Sequence, residues 1–287
     1  MSIKKQSIMK SLIITMLVTV FAFAKAYSQQ LSGVATYQSQ RSFDFKMDDD
    51  KNNGMTAEIQ KQLQAQMKKQ FQQEYTLAFV GAESTYQQEE SLAAPAPSTN
   101  GITVSVSGTK GITYHNTTEQ KLIKESEIMG KEFLVNDSLP KLKWILEKEI
   151  KNIGVYTCFK ATISEEYEQP SFNEETGEEE ESVTKTRTIT AWYTLDIPVN
   201  HGPDEYWGLP GLILEVSDGK FSLMCTKVVL NPKKEVQIAL PEKGKVVAQD
   251  KFNKIQEEKM DEMMERHGGK RGKNGSRVFT TTEIIRN

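Results

Sequence analysis

Chemistry-bearing residues are scarce in this chain. It has two cysteines, Cys158 and Cys225, and three histidines, His115, His201 and His267, in 287 residues. The cysteines do not form C-x-x-C, which removes the motif of a thioredoxin-like redox protein. No two histidines stand at i,i+4, which removes the zinc helix motif. There is no G-x-S-x-G elbow, no G-x-G-x-x-G and no P-loop. Carboxylates are plentiful, but sequence alone cannot pair them into a glycosidase dyad. No catalytic residue, metal ligand or cofactor is therefore assigned. No internal repeat is visible.

A long hydrophobic run is also missing. The one apolar segment, Ser11–Ala24, spans about 14 residues, whereas a bilayer-crossing helix needs about 20. Lys4, Lys5 and Lys10 precede it, and "AKA" (24–26) and "AYS" (26–28) follow it. This is the pattern of a secretory signal peptide over residues 1–28. No cysteine near the cleavage site offers a lipid anchor. Without residues 1–28, basic residues fall from 36 to 32 against 39 acids, a net charge of about −7. Such a balance disfavours non-specific binding to nucleic acid. The expectation is a soluble exported protein, periplasmic or extracellular. In that compartment an even pair of cysteines suggests a Cys158–Cys225 disulfide, the alternative being two separate buried thiols.

Most of the rest reads as strand. Ser32–Phe45 carries β-branched and aromatic residues without helical spacing. Tyr75–Glu90 reads as strands around Gly81. Ile112 with Tyr114, and Phe133 with Val135, fit hairpins. Val155–Ile163 and Val183–Ile197 suit a hairpin spanning a glutamate-rich stretch, which reads as a solvated loop because dense like charges repel. "LILEV" and "KFSLMCTKVVL" form a hairpin with Ser217-Asp218-Gly219 as its turn. "EVQIAL" (235–240) is a further strand candidate, and "SRVFTTTEII" a last one. Thr56–Tyr75, with Ile59, Leu63, Met67 and Phe71 on one stripe, and Ala248–Gly269 are helices. Ser138–Gly154 is open between helix and strand. The expected class is α+β: a predominantly antiparallel, curved sheet with flanking helices. The expected domains are a β-rich body over 29–245 and a C-terminal helix and tail over 246–287 packed on it.

One stretch is distinctive. "AWYTLDIPVNHGPDEYWGLPGLILEVSDG" (191–219) resembles the GLPGLI family, named for the hexapeptide found here at Gly208, Leu209, Pro210, Gly211, Leu212 and Ile213. "WYT", "IP", Gly202-Pro203 and the upstream Y-x-C-x-K-A at Tyr156–Ala161 extend the likeness, which covers roughly Gln38–Leu240. The glutamate-rich stretch is longer than the family pattern leads one to expect. The resemblance implies exported proteins of Bacteroidota with uncharacterised function, and no catalytic residue. The candidate binding residues are Tyr206, Trp207 and Trp192, aromatics at or near this corner that could line a surface for an apolar or peptidic ligand or an envelope protein. The function so expected is a non-enzymatic binding or assembly module of the cell envelope. The alternative is a hydrolase or metal-dependent enzyme in which His201, Asp204 and Glu205 converge at the corner.

Overall fold

A computed structural model describes residues 30–41, 72–89, 98–99, 102–103, 111–172 and 179–268. The expected signal peptide, the helix from Thr56 as far as residue 71, and the last strand candidate lie outside these residues. The strands are β1 (Ser32–Arg41), β2 (Glu74–Val80), β3 (Glu83–Gln88), β4 (Ser98–Thr99), β5 (Ile102–Thr103), β6 (Ile112–Asn116) and β7 (Lys121–Ile128). They continue with β8 (Lys131–Ser138), β9 (Ile145–Ile153), β10 (Tyr156–Phe172), β11 (Glu179–Thr194), β12 (Leu212–Ser217), β13 (Phe221–Leu230) and β14 (Lys245–Val247), before the helix α1 (Gln249–Gly268).

The α+β expectation is corrected. Twelve of these strands form one sheet in the order β14-β8-β7-β6-β3-β2-β1-β13-β12-β11-β10-β9, and α1 is the single helix among the described residues. The protein is mostly β. The open stretch Ser138–Gly154 resolves to strand because β9 finds a partner in β10, with Tyr156 opposite Ile153 and Phe159 opposite Ile150. All pairings in this sheet are antiparallel except β14 with β8.

The order reveals two consecutive meanders, β1 to β8 and β9 to β13, joined where β1 pairs β13. Local turns fix each meander. Gly81 takes φ +57° between β2 and β3, and Gly219 takes φ +91° between β12 and β13. At that second turn the Asp218 carboxylate accepts from the Lys220 and Phe221 amides at 2.9 and 2.7 Å.

Connection length forces the sheet to curl. β8 and β9 are ten strand spacings apart in the order. In a flat sheet that is about 48 Å. Only six residues, Leu139–Trp144, join them, and these reach about 25 Å at full stretch. The ends of the sheet therefore bend toward each other, although β14 and β9 remain as open edges.

Strand register assigns the inner face of the curl. Tyr37, Leu77, Phe79, Ser84, Tyr86, His115, Leu122 and Val135 alternate onto it and are all buried. At the β14 end, Phe252 and Ile255 of α1 cover Phe133, Val135 and Val247. The first turn of α1 is held by Asp137, whose carboxylate accepts from the Gln249 amide at 2.9 Å. That bond supplies one of the partners a helix N-terminus lacks and holds the Asp137 carboxyl below its usual range.

Two further expectations are corrected. The glutamate-rich stretch is mostly a two-stranded ribbon, because β10 and β11 pair as far as Phe172 opposite Glu179. Its glutamates tolerate the ribbon because the facing strand is not acidic there: Glu165 faces Arg187, Glu166 faces Thr186 and Glu168 faces Thr184. Arg187 Nη2 binds Glu165 at 2.8 Å. The segment 235–240 is not a strand. It belongs to the connection from β13 to β14 and pairs with no described strand. Ile238 packs there on Tyr114, Ile123 and Leu134, and Glu125 Oε1 accepts from the Glu242 and Lys243 amides at 3.2 Å.

Candidate functional site

The connection from β11 to β12, residues 195–211, enters the curl and fills it. Its own backbone shapes it. The Val199 and Leu212 amides both donate to the Ile197 carbonyl, the Gly208 amide to Asn200 and the Ile213 amide to His201, at 2.8–3.1 Å. Gly208 takes φ +91°, open to glycine and disfavoured for other residues. Gly211 is required for a different reason: a Cβ there would lie 1.9 Å from the Thr194 carbonyl oxygen. Leu209, Leu212 and Ile213 are almost fully buried. Pro210 is exposed.

The side chains of the corner tie together strands from both ends of the sheet. Trp207 packs on Leu122 of β7, Leu139 and Leu142. Its indole donates to the Pro140 carbonyl at 2.8 Å, and its own carbonyl accepts from the Trp144 indole at 2.8 Å. Tyr206 packs on the opposite meander, against the cluster of Ala161, Ile189, Tyr193 and Ile213. His201 stacks obliquely on Phe79 at 5.8 Å and its Nε2 lies 2.9 Å from the Gly81 carbonyl.

The structure brings two of the three candidate aromatics together. Tyr206 and Trp207 are adjacent and pack on opposite meanders. Trp192 is not with them: it sits opposite Glu215 on the outer face, beneath Lys151, whose Nζ is 4.3 Å from its ring centroid. Lys151 also binds Glu215 at 2.6 Å.

The convergence needed for a metal is also absent. His201 is committed to Gly81, while Glu205 binds Lys124 of β7 at 2.7 Å. Among the described residues no three His, Cys, Asp or Glu side chains are placed to hold a metal ion. The two cysteines are free thiols. They sit in β10 and β13, three spacings apart, about 14 Å in the sheet and beyond the ~7 Å α-carbon limit for a disulfide. Burial pushes both thiols up, Cys158 to about 11 and Cys225 to about 12, which leaves them poor nucleophiles.

A polar group under the corner was not legible in the sequence. Register aligns Tyr86, Thr113 and Lys124 across β3, β6 and β7, and Asp204 and Glu205 descend onto that row. Burial raises the Asp204 carboxyl to about 6, with Lys124 opposing the rise and Glu205 adding to it. Burial lowers His115 to about 4. It also lowers His201, against its bond to Gly81. The Tyr86 hydroxyl, His115 Nε2 and His201 Nδ1 are buried without a hydrogen-bond partner. His201, Asp204 and Glu205 stand in the distinctive stretch; Lys124, Tyr86 and His115 join them through strand pairing, which no local motif announces.

Fold and corner together define the class: a β protein whose curled sheet is plugged by its own β11–β12 connection. Residues 144–215 match the model of a family described as a protein of unknown function, Porph_ging. The matched stretch contains β9, β10, β11 and the whole corner. Two solved structures of PNGF-II are similar to the chain. One, in space group C2, is 14% identical with a TM-score of 0.43, and the match covers 80% of this chain and 33% of that one. The other, in space group P21, is 13% identical with a TM-score of 0.46, covering 80% and 34%. The chain thus spans about a third of the length of these structures. Comparison with curated proteins gives no match. No described helix is long and apolar enough to cross a membrane.

Proposed function

We propose that the protein is a non-enzymatic binding or assembly module of the cell envelope, exported through residues 1–28 and related to the GLPGLI proteins. Its partner is another envelope protein, and it docks at the β9 end of the sheet. One observation carries this reading: Leu146 and Ile150, which pair with Ala161 and Phe159 on one face of the sheet, are each 59% exposed, with Ile145 at 61% on the opposite face and Val155 at 90% in the turn that follows. Large apolar side chains left exposed on one face mark interaction sites. The corner supports the reading indirectly, since its own side chains occupy the place a ligand beside Trp207 would need.

The β9 edge is guarded against open-ended strand addition. Three residues, Glu147–Glu149, face the single Lys160, a bulge that breaks the ladder. Lys160 binds Glu147 and Glu149 at 3.2 and 2.9 Å. Bulges and charges are the usual protection of an edge. The partner therefore meets the side chains of β9 rather than extending the sheet.

The test is cross-linking and recovery from the native envelope with wild type and with Leu146→Glu/Ile150→Glu. Both positions are more than half exposed, so melting should hardly change. A partner recovered with wild type and lost with the double variant supports the proposal. Equal recovery with both sinks it. Mass analysis of the mature N-terminus checks export, with cleavage expected after residue 26 or 28.

A further inference from the structure

Register leaves a step at the β9 border of the sheet. β9 begins at Ile145, opposite Thr162, and its last residue Ile153 lies opposite Tyr156. β10 runs on beyond Thr162 to Phe172, and there β11 is its one neighbour among the described strands. This overhang, residues 163–172, has a bare edge on the β9 side, and β9 has a bare outer edge. The overhang has ten residues and β9 has nine, so the two bare edges match in length, at about 30 Å each.

The step is self-complementary. A two-fold axis perpendicular to the sheet at the Ile145–Thr162 pair lays the overhang of each copy beside the β9 of the other. It also keeps like faces on like sides. On one face β9 exposes Leu146 and Ile150. Register places Tyr167 and Val183 of the ribbon on that same face, and both are exposed. Charge matches as well. Lys141, Lys143 and Lys148 are exposed and form no ion pair with a described residue. Residues 165–181 hold nine glutamates and no lysine or arginine. Within one copy the two charges stay apart, because the overhang leads away from β9.

We propose that the protein docking at β9 is a second copy of this chain, in an isologous dimer whose ribbons lie reciprocally along the two β9 strands. The proposal rests on the reading of β9 as a docking surface and names its occupant. Side chains make the contact, since the bulge at Glu147–Glu149 interrupts the ladder that an added strand needs. Two seams about 30 Å long and about 10 Å deep cover about 1,200 Å² over both copies, the lower end for a specific interface. The dimer is therefore weak, and its charged contacts make it salt-sensitive.

The test measures mass by sedimentation of the chain without residues 1–28, from about 1 to 200 μM at low and high salt. A monomer–dimer equilibrium that weakens with salt is expected. Carbodiimide cross-linking of mixed unlabelled and isotope-labelled chains should join the peptide of Lys148 to the glutamate ribbon across the two labels. Replacing residues 167–184 by Asn-Gly leaves every described pairing outside the ribbon in place and should weaken the dimer at least tenfold, as should Leu146→Glu/Ile150→Glu. Lys148→Glu should weaken it several-fold, and adding Glu166→Lys/Glu168→Lys to that variant should restore it. A monomer over the whole range, cross-links confined to one label, or a dimer that survives the ribbon replacement would overturn the proposal. A monomeric wild type that loses an envelope partner on Leu146→Glu/Ile150→Glu refutes the second copy and leaves the β9 docking surface standing. A variant that keeps both dimer and envelope partner sinks both readings.

Discussion

Gly211 leaves no room for a side chain, and the neighbour it would strike is backbone. A Cβ at that position would sit 1.9 Å from the Thr194 oxygen, so Gly211→Ala must displace β11 or β12. We expect a loss of about 3 kcal/mol or more. Ser217→Ala, five residues on from Leu212, gives up the bonds its hydroxyl makes to the Gly219 amide and the Phe221 carbonyl at 3.1 Å, about 1 kcal/mol. Urea denaturation of the two variants checks the contrast. The titratable residues beneath the corner oppose one another. Asp204 is raised to about 6 from 3.8, so its contribution to stability is fully present below about 3.8 and is lost as pH rises through about 6. His115 is lowered to about 4 from 6.5, so its contribution is present above about 6.5 and is lost as pH falls through about 4; the lowered His201 acts in the same direction. Each separation corresponds to at most about 3 kcal/mol. Between pH 4 and 6 they offset. Asp204→Asn removes one side of the balance, so melting temperatures of that variant should drop more steeply than those of wild type from pH 6.5 to 4, and at pH 7 should be no lower.

At the scale of elements, what was legible in the sequence was what neighbours in the chain decide. The turns at Gly81 and at Ser217-Asp218-Gly219 could be read because the residues that bend the chain are the residues one sees. The helix from Gln249 could be read from its spacing. What failed depended on a partner elsewhere. Glu165 to Glu168 read as mutually repelling until Arg187, Thr186 and Thr184 stand opposite. The segment 235–240 has a strand-like composition but forms no ladder with a described strand. The ribbon itself invites a test. β9 accompanies β10 only as far as Thr162, and β12 accompanies β11 only from Thr190. Residues 167–184 therefore pair with nothing outside the ribbon in the described sheet. Replacing them by a tight Asn-Gly turn should move the melting temperature by no more than about 3 °C, as scanning calorimetry would show.

At the scale of the molecule, the corner's wording was visible but its position was not. "YWGLPGLI" announces a turn beside a buried strand, and it is one. That Trp207 should reach β7 and the Trp144 beside β9 follows only from the curl, which in turn follows from six residues joining strands ten spacings apart. Cooperative stability should follow the strand order. Hydrogen exchange is expected to be slowest in β1 and β13, at the seam between the meanders, and fastest in the edges β9 and β14. That seam also bears on how the chain comes into being. Ser32 opens β1, and the Asn231 that bonds to it comes 199 residues later. A chain made or threaded from its first residue presents β1 long before anything can lie against its outer side. The first six strands of the sheet can assemble in that interval, but with one border bare and no plug between them. Completion waits until about four-fifths of the chain has emerged, and a molecule halted short of β13 would be left with that border open to any other unfinished strand.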